Sequence, residues 1–300
     1  MIKPDAKELY HKHIKELNSS WCPVPWGQIS VHNSGEYRSC IQARSCKKTK
    51  GILRDESGTI MRADTHNIDD VRNSPLLKDV RKSMLGGVQH EMCVRCNRED
   101  KADVPSRRRN AIIEYYDKYN YDYWKAVSHC HEDGQLMLHE SDVLEYDIRL
   151  GNLCNLRCKM CHPSESTQWY DEWFDTMFKG FKTDFTRIEM EKDGTKAKLK
   201  NDIYKWNDIP HFFNQFDNSA SGTRKIYFSG GEPTLVENMY TMLKKLIDAG
   251  ISKDMELEYN INLTNIPRKA IELWHEFKSV QIGGSIDGCL LYTSDAADDD

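Results

Sequence analysis

In the second half of the chain, short apolar runs alternate with longer amphipathic ones. Residues 144–150, 225–229, 255–264 and 280–286 are brief and rich in β-branched or aromatic residues, which predicts strands. Residues 236–249 and 267–277 carry apolar positions at helical spacing, and Gly250 closes the first of these helices. The long charged stretch 164–218 reads as mostly helical. Strands alternating with helices predict parallel βα units, and four strands can be counted. The earlier residues read differently. Residues 3–18 predict a short charged helix. Residues 26–43 alternate about Gly35 and predict a β-hairpin with Asn33-Ser34-Gly35 at its turn. Apolar positions Val71, Leu76, Leu77, Val80 and Leu85 predict a helix over 69–86, ending at Gly86-Gly87. Cys93-Val-Arg-Cys96 is expected on the loop that follows, and residues 107–128 predict an aromatic-rich helix.

The polar stretch 129–142 is where a domain boundary is expected. The predicted organisation is α/β: a small α+β cysteine-rich domain over 1–135, a βα domain over 140–288 and a tail at 289–300. No internal repeat or low-complexity linker interrupts this pattern.

The 300 residues are 39% hydrophobic and 30% charged, which suits a soluble globular protein. The net charge of −5 suggests no polyanion partner. Arg107-Arg108-Arg109 is accordingly read as a solvated helix start and not as a nucleic-acid contact. The N-terminus lacks the apolar core of a signal peptide, and no apolar run is long enough to span a bilayer. No membrane association is therefore expected, and the expected compartment is a reducing cytoplasm. Ten cysteines are more naturally metal ligands there than disulfides. Cys22, Cys40, Cys46, Cys93 and Cys96 lie in the first hundred residues. Cys154, Cys158 and Cys161 form a central group, while Cys130 and Cys289 stand apart. Two groups predict two metal sites, with Cys130 a plain buried thiol.

The central group reads CxxxCxxC directly after a predicted strand. Three thiolates on one tight loop can hold three irons of a 4Fe–4S cube and leave the fourth open to a small molecule. Thiolates suit zinc as well, and His162 would then be the fourth ligand. The second predicted strand ends in Ser229-Gly230-Gly231-Glu232-Pro233, where glycines permit close approach of a ligand to the backbone. The third places Asn260, Asn262 and Thr264 on one face, and the fourth ends Gly284-Ser285-Ile286-Asp287-Gly288. Parallel βα folds place their sites at such strand ends.

Together these motifs resemble the radical S-adenosylmethionine (radical SAM) superfamily over about residues 144–288. The resemblance implies a partial (β/α)6 barrel in which Cys154, Cys158 and Cys161 hold the cluster. It implies that the Ser229–Pro233 turn binds the amino group of SAM and that Ser285 lies near its carboxylate. Asp287 is expected on the substrate side, and Asn262 and Thr264 line the cofactor site. The implied chemistry is reductive cleavage of SAM to methionine and a 5′-deoxyadenosyl radical that abstracts a substrate hydrogen. An electron donor such as flavodoxin or ferredoxin is implied too. No catalytic residue beyond the cofactor ligands is identifiable. The chain departs from the family pattern in three ways. Met160 replaces the usual aromatic before the third cysteine, a long insertion separates Cys161 from Gly230, and the later strands are missing. The tail at 289–300 resembles adapter read-through and is expected to be non-native, the coding region continuing past Gly288.

In the first hundred residues Cys22, Gly35 and Cys40, then Cys93 and Cys96, resemble the CxnGx4C…CxxC pattern of twitch and SPASM auxiliary domains. That resemblance implies a second iron–sulfur cluster and a peptide or protein substrate. In most relatives such a domain follows the barrel, whereas here it precedes it. A structural zinc ribbon uses the same four ligands, and Cys46 is an alternative to Cys40. Two other readings of the whole chain stay open. One is a zinc-stabilised interaction module, and the other is a truncated, inactive fragment.

Overall fold

The computed structural model describes residues 20–139, 142–176 and 178–286. The helix expected at 3–18 and the tail at 289–300 lie outside them. Among the described residues there are nine strands: β1 (Gln28–Val31), β2 (Tyr37–Arg38), β3 (Glu145–Arg149), β4 (Gly180–Lys182), β5 (Arg187–Asp193), β6 (Lys196–Leu199), β7 (Lys225–Ser229), β8 (Glu256–Ile261) and β9 (Ser279–Gly284). Six of them form one sheet in the order β2-β1-β3-β7-β8-β9. All its pairings are parallel except that of β1 with β2. Among the described residues no helix is long and apolar enough to cross a membrane.

The four expected strands appear as β3, β7, β8 and β9, and a further parallel strand precedes them. Residues 28–31 pair in register with 145–148, so the sheet takes strands from both sides of the boundary expected within 129–142. The hairpin turn is where the sequence places it. Gly35 has φ of +80° and its N–H donates to the His32 carbonyl at 2.8 Å, a geometry glycine adopts without strain. Once β1 is laid beside β3, its apolar residues enter the main core. Ile29 and Val31 pack in one cluster with Tyr146, Ile148, Phe228 and Tyr259.

Three expectations need correction. The helix expected at 69–86 is two helices, Ile68–Arg72 and Pro75–Leu85, because Pro75 has no N–H to continue the first. Cys93 and Cys96 are not on a loop; Cys96 lies within the helix Val94–Lys101 and Cys93 immediately precedes it. The stretch 164–218 is not mostly helical, since β4, β5 and β6 form a separate antiparallel sheet there. Its period-two signal is visible in Arg187–Asp193, where Ile188 and Met190 are buried and their neighbours exposed. This small sheet occupies the long interval between Cys161 and Gly230.

Strand alternation divides the main sheet into unlike faces. Ile226, Phe228, Leu257 and Tyr259 face Phe212 and Phe216 of helix His211–Ser219 and Met239 and Leu243 of helix Glu237–Asp248. The opposite face carries Glu145, Asp147, Arg149, Lys225, Tyr227, Glu258 and Asn260. Helix Arg107–Tyr119 crosses it through ion pairs. Arg107 meets Glu145 at 3.0 Å, Glu114 meets Lys225 at 2.8 Å and Lys118 meets Glu256 at 2.5 Å. The arginine run is therefore not a solvated helix start. Arg108 is 5% exposed and paired with Asp100, and Arg109 pairs with Asp103 at 2.9 Å. Buried charges persist only with such partners.

Arg81 is fully buried and ties three segments together. It donates to the carbonyls of Gly134 at 2.6 Å, Pro25 at 2.8 Å and Arg72 at 2.9 Å. Burial lowers its pKa to about 10, so it stays a cation at neutral pH. Pro25 follows Cys22 closely, so this clamp also fixes the first cysteine. Arg81→Met is expected to cost about 3–5 kcal/mol in urea unfolding. A loss below about 1 kcal/mol would contradict the clamp.

Candidate functional site

The central cysteine loop leaves β3 through Gly151, whose φ is +88°. A Cβ there would lie 2.6 Å from the Tyr204 carbonyl oxygen, so only glycine fits. Buried Asn152 then clamps the loop, its Nδ2 donating to the Pro163 carbonyl and the Tyr170 hydroxyl, each at 2.7 Å. Ser166 Oγ donates to the Leu156 carbonyl at 2.6 Å and Trp169 Nε1 to that of Cys158 at 3.2 Å. These bonds close residues 151–169 into one unit with its three thiols half-buried.

The thiols are near one another. Burial, then the neighbouring Cys158 and other acidic groups, push the Cys161 thiol up to about 11. Cys154 Sγ accepts from Leu156 N–H at 3.4 Å and from Asn262 Nδ2 at 3.8 Å. N–H groups directed at a sulfur are what stabilise a cluster thiolate and tune its potential, so this donor set fits an iron–sulfur cluster.

The Ser229–Pro233 turn packs against this loop through its backbone. Gly231 N–H donates to the Gly151 carbonyl at 3.3 Å and Glu232 N–H to that of Leu153 at 2.7 Å. A Cβ on Gly231 would stand 2.2 Å from the Leu153 oxygen, and Gly230 has φ of +117°. The Glu232 carboxylate is buried and engaged on both oxygens. Oε1 accepts from Thr234 N–H at 3.2 Å and its hydroxyl at 2.6 Å, while Oε2 accepts from Asn262 N–H at 2.8 Å. Glu232 thus caps the 3-10 turn Pro233–Leu235, with Pro233 at its first position, and fastens the end of β8 to the end of β7. Beside Ser229, Arg149 holds a buried Nε without a hydrogen-bond partner. An unpaired guanidinium N–H at this strand end fits the carboxylate of an amino-acid cofactor such as SAM.

Asn262 and Thr264 join the same network. Asn262 Nδ2 donates to Asn155 Oδ1 at 2.8 Å, and Asn155 Nδ2 donates to Thr264 Oγ1 at 2.8 Å. Asn260 is held lower on the strand by the Tyr227 hydroxyl at 2.6 Å. Ser285 is exposed, and its N–H donates to the Ile261 carbonyl at 2.9 Å. Asp287 lies outside the described residues. Met160 is 82% exposed beside Cys161 and makes no packed wall. Sequence reasoning missed Asn152, Asn155 and Arg149. Asn152 and Asn155 flank Cys154, and Arg149 shares a face with Asp147, which is the signal that was available.

The N-terminal cysteines lie within electrostatic reach of one another. Burial raises the Cys22 thiol, and Cys40, Cys93 and Cys96 raise it further. Burial pushes Cys93 up to about 12, helped by Cys40 and Cys96, and pushes Cys40 up to about 11. The Cys40 thiol also feels Arg107, which lowers it, and Asp147, which raises it. Cys46 is close enough to influence Cys93. For Cys46 itself burial is outweighed by N–H and hydroxyl donors at Thr49 and Lys48, which hold its thiol below the ordinary value. Among the described residues, no three His, Cys, Asp or Glu side chains converge as a ready metal-ion site. Cys130 is buried in the second core cluster, as expected of a plain thiol.

Residues 148–289 match the family model described as the Radical SAM superfamily. Comparison with curated proteins and with solved structures returned no match.

The turn-to-loop contact predicts a contrast between two glycines. Gly231→Ala is expected to cost about 3 kcal/mol through overpacking against backbone. Gly250→Ala, with open space around it but φ of +72°, should cost about 1 kcal/mol. Denaturation midpoints of both variants, with iron retained after reconstitution, check this. Equal losses in the two would contradict the close packing.

Proposed function

From the radical SAM superfamily domain at residues 148–289, we propose that this protein is a radical SAM oxidoreductase. Cys154, Cys158 and Cys161 would hold a 4Fe–4S cluster and leave one iron for SAM. When reduced, such a cluster supplies the electron that splits SAM and delivers a 5′-deoxyadenosyl radical to a substrate C–H bond. The residues of this chain bind and orient. The Ser229–Pro233 backbone would receive the amino group of SAM, and Arg149 with Ser285 its carboxylate. Asn262 and Thr264 hold the cluster loop against that seat. The Glu232 carboxylate positions the turn and leaves ligand contact to the backbone. The observation that carries this reading is the joining of three strand ends. Glu232 bonds the Cys154 loop through its N–H and the end of β8 through its carboxylate.

The sheet is read as an incomplete (β/α)6 barrel whose polar face is the inner one. A second iron–sulfur cluster is proposed on Cys22, Cys40, Cys93 and Cys96, supported by their mutual electrostatic influence. The proposed substrate is a peptide or protein, and the proposed electron source is a flavodoxin or ferredoxin in a reducing cytoplasm.

Anaerobic reconstitution followed by reduction with SAM tests the proposal. It predicts about eight irons per chain, as two four-iron clusters, and release of methionine and 5′-deoxyadenosine. Cys154→Ala should abolish cleavage, and Cys93→Ala should remove about half of the iron. Tightly held zinc, with no iron and no 5′-deoxyadenosine, would overturn the proposal.

A further inference from the structure

β9 (Ser279–Gly284) ends the main sheet, beyond β8 in the strand order. Parallel strands are ordinarily covered on both faces, and β9 is not. Five of its six residues are exposed, and among the described residues no strand pairs with its outer edge. Such an edge is usually guarded by a charge, a proline or a bulge. Ser279-Val-Gln-Ile-Gly283 carries no charge and no proline. The adjoining cation, Lys278, is already paired with Glu256 at 3.3 Å.

The ladder fixes which groups this edge offers. Lys278 N–H donates to the Met255 carbonyl at 3.0 Å, while Glu256 N–H turns the other way, to the Arg224 carbonyl at 2.8 Å. In a parallel pair, alternate residues bond to one neighbour. Val280 and Ile282 therefore spend their N–H and C=O groups on β8, and Ser279, Gln281 and Gly283 turn theirs outward. The side chains alternate in step. Val280 stands beside Leu257 and Ile282 beside Tyr259, on the face that packs the core. Val280 is partly covered there, whereas Ile282 is 39% exposed, so the apolar face continues past its cover. Gln281 lies beside Glu258 on the polar face.

The strand is nearly a palindrome about Gln281, with a β-branched residue on each side and then a small one. A copy laid antiparallel about Gln281 sets Ser279 opposite Gly283, Val280 opposite Ile282 and Gln281 opposite itself. In that register outward-turned residues meet only outward-turned residues. An antiparallel ladder alternates bonded and non-bonded pairs, so each outward residue exchanges both bonds with its partner. The non-bonded pairs, where side chains come closest, are then Val280 with Ile282. Cross-strand pairs of β-branched residues stabilise a sheet. A slip of one residue would set outward-turned groups against inward-turned ones, and the apolar face of one copy beside the polar face of the other.

We propose that β9 is a docking edge for a second copy of this chain, the two strands pairing antiparallel about a twofold axis at Gln281. The two copies share one continuous sheet. Because the same edge serves both, the assembly closes at two. Five paired residues on each side make a small interface, so the association is weak and depends on concentration. The contact does not draw on the radical SAM reading.

Sedimentation velocity on the anaerobically reconstituted protein, from about 1 to 100 µM, tests this. The mass is expected to pass from that of one chain to that of two, and to return on dilution. Gln281→Pro removes one outward N–H and leaves the bonds to β8 in place. It is expected to raise the dissociation constant about tenfold. Ile282→Lys, which puts a charge on the paired apolar face, should do the same. Ile271→Lys alters another exposed apolar side chain, on helix Arg268–Trp274, and should leave association unchanged. Far-UV circular dichroism and iron content report whether each variant keeps its fold. One chain's mass over the whole range would overturn the proposal, as would growth beyond two chains. So would a dimer whose dissociation constant is unchanged in Gln281→Pro and Ile282→Lys, or one that Ile271→Lys weakens as much as they do. SAM cleavage is a separate readout, so failure of the enzyme reading leaves this inference standing.

Discussion

The site depends on backbone contact between two turns at adjacent strand ends. β3 and β7 pair in parallel register from Glu145↔Lys225 to Arg149↔Ser229. The chain leaving each strand must then pass the other at van der Waals distance. Gly151, Gly230 and Gly231 make this possible, since each sits where a Cβ would meet backbone or a buried side chain within 3 Å or so. The two backbone bonds that result lock the cysteine loop to the Glu232 turn. Everything polar around the thiols is arranged from that contact. Asn262 is drawn in by Glu232, Asn155 by Asn262, and Thr264 by Asn155. The network is buried at Glu232 and opens to solvent at Asn155 and Thr264.

The N-terminal segment is part of the same construction. β1 extends the sheet, and its turn bonds the cysteine loop through Asn33. Helix Arg107–Tyr119 covers the polar face through Arg107, Glu114 and Lys118. Cys40 lies within electrostatic reach of Arg107 and Asp147.

Much of this was legible because it is local. The four later strands, the Gly35 turn and the spacing of Cys154, Cys158 and Cys161 are short-range patterns, and they appear where the sequence places them. What escaped is long-range. Nothing near Gln28 or Ser30 reveals that β1 will pair with residues more than a hundred positions away. The polar run at 129–142 looked like a boundary, yet pairing partners lie on both sides of it. The antiparallel sheet at 180–199 was hidden by its charge, since Lys and Glu on the exposed positions mask Ile188 and Met190 on the buried ones. Glu232 illustrates a subtler limit. Its motif is readable, but only the fold reveals that the carboxylate is consumed by Thr234 and Asn262.

The central claim is that three thiols on this loop leave one iron open beside the Ser229–Pro233 turn. Electron–nuclear double resonance on the reduced protein, with SAM labelled with ¹⁵N and ¹⁷O in its methionine part, tests that claim most directly. The account predicts hyperfine coupling from both labels to the cluster, lost in Cys158→Ala. A reduced cluster whose spectrum shows no coupling to either label would contradict it.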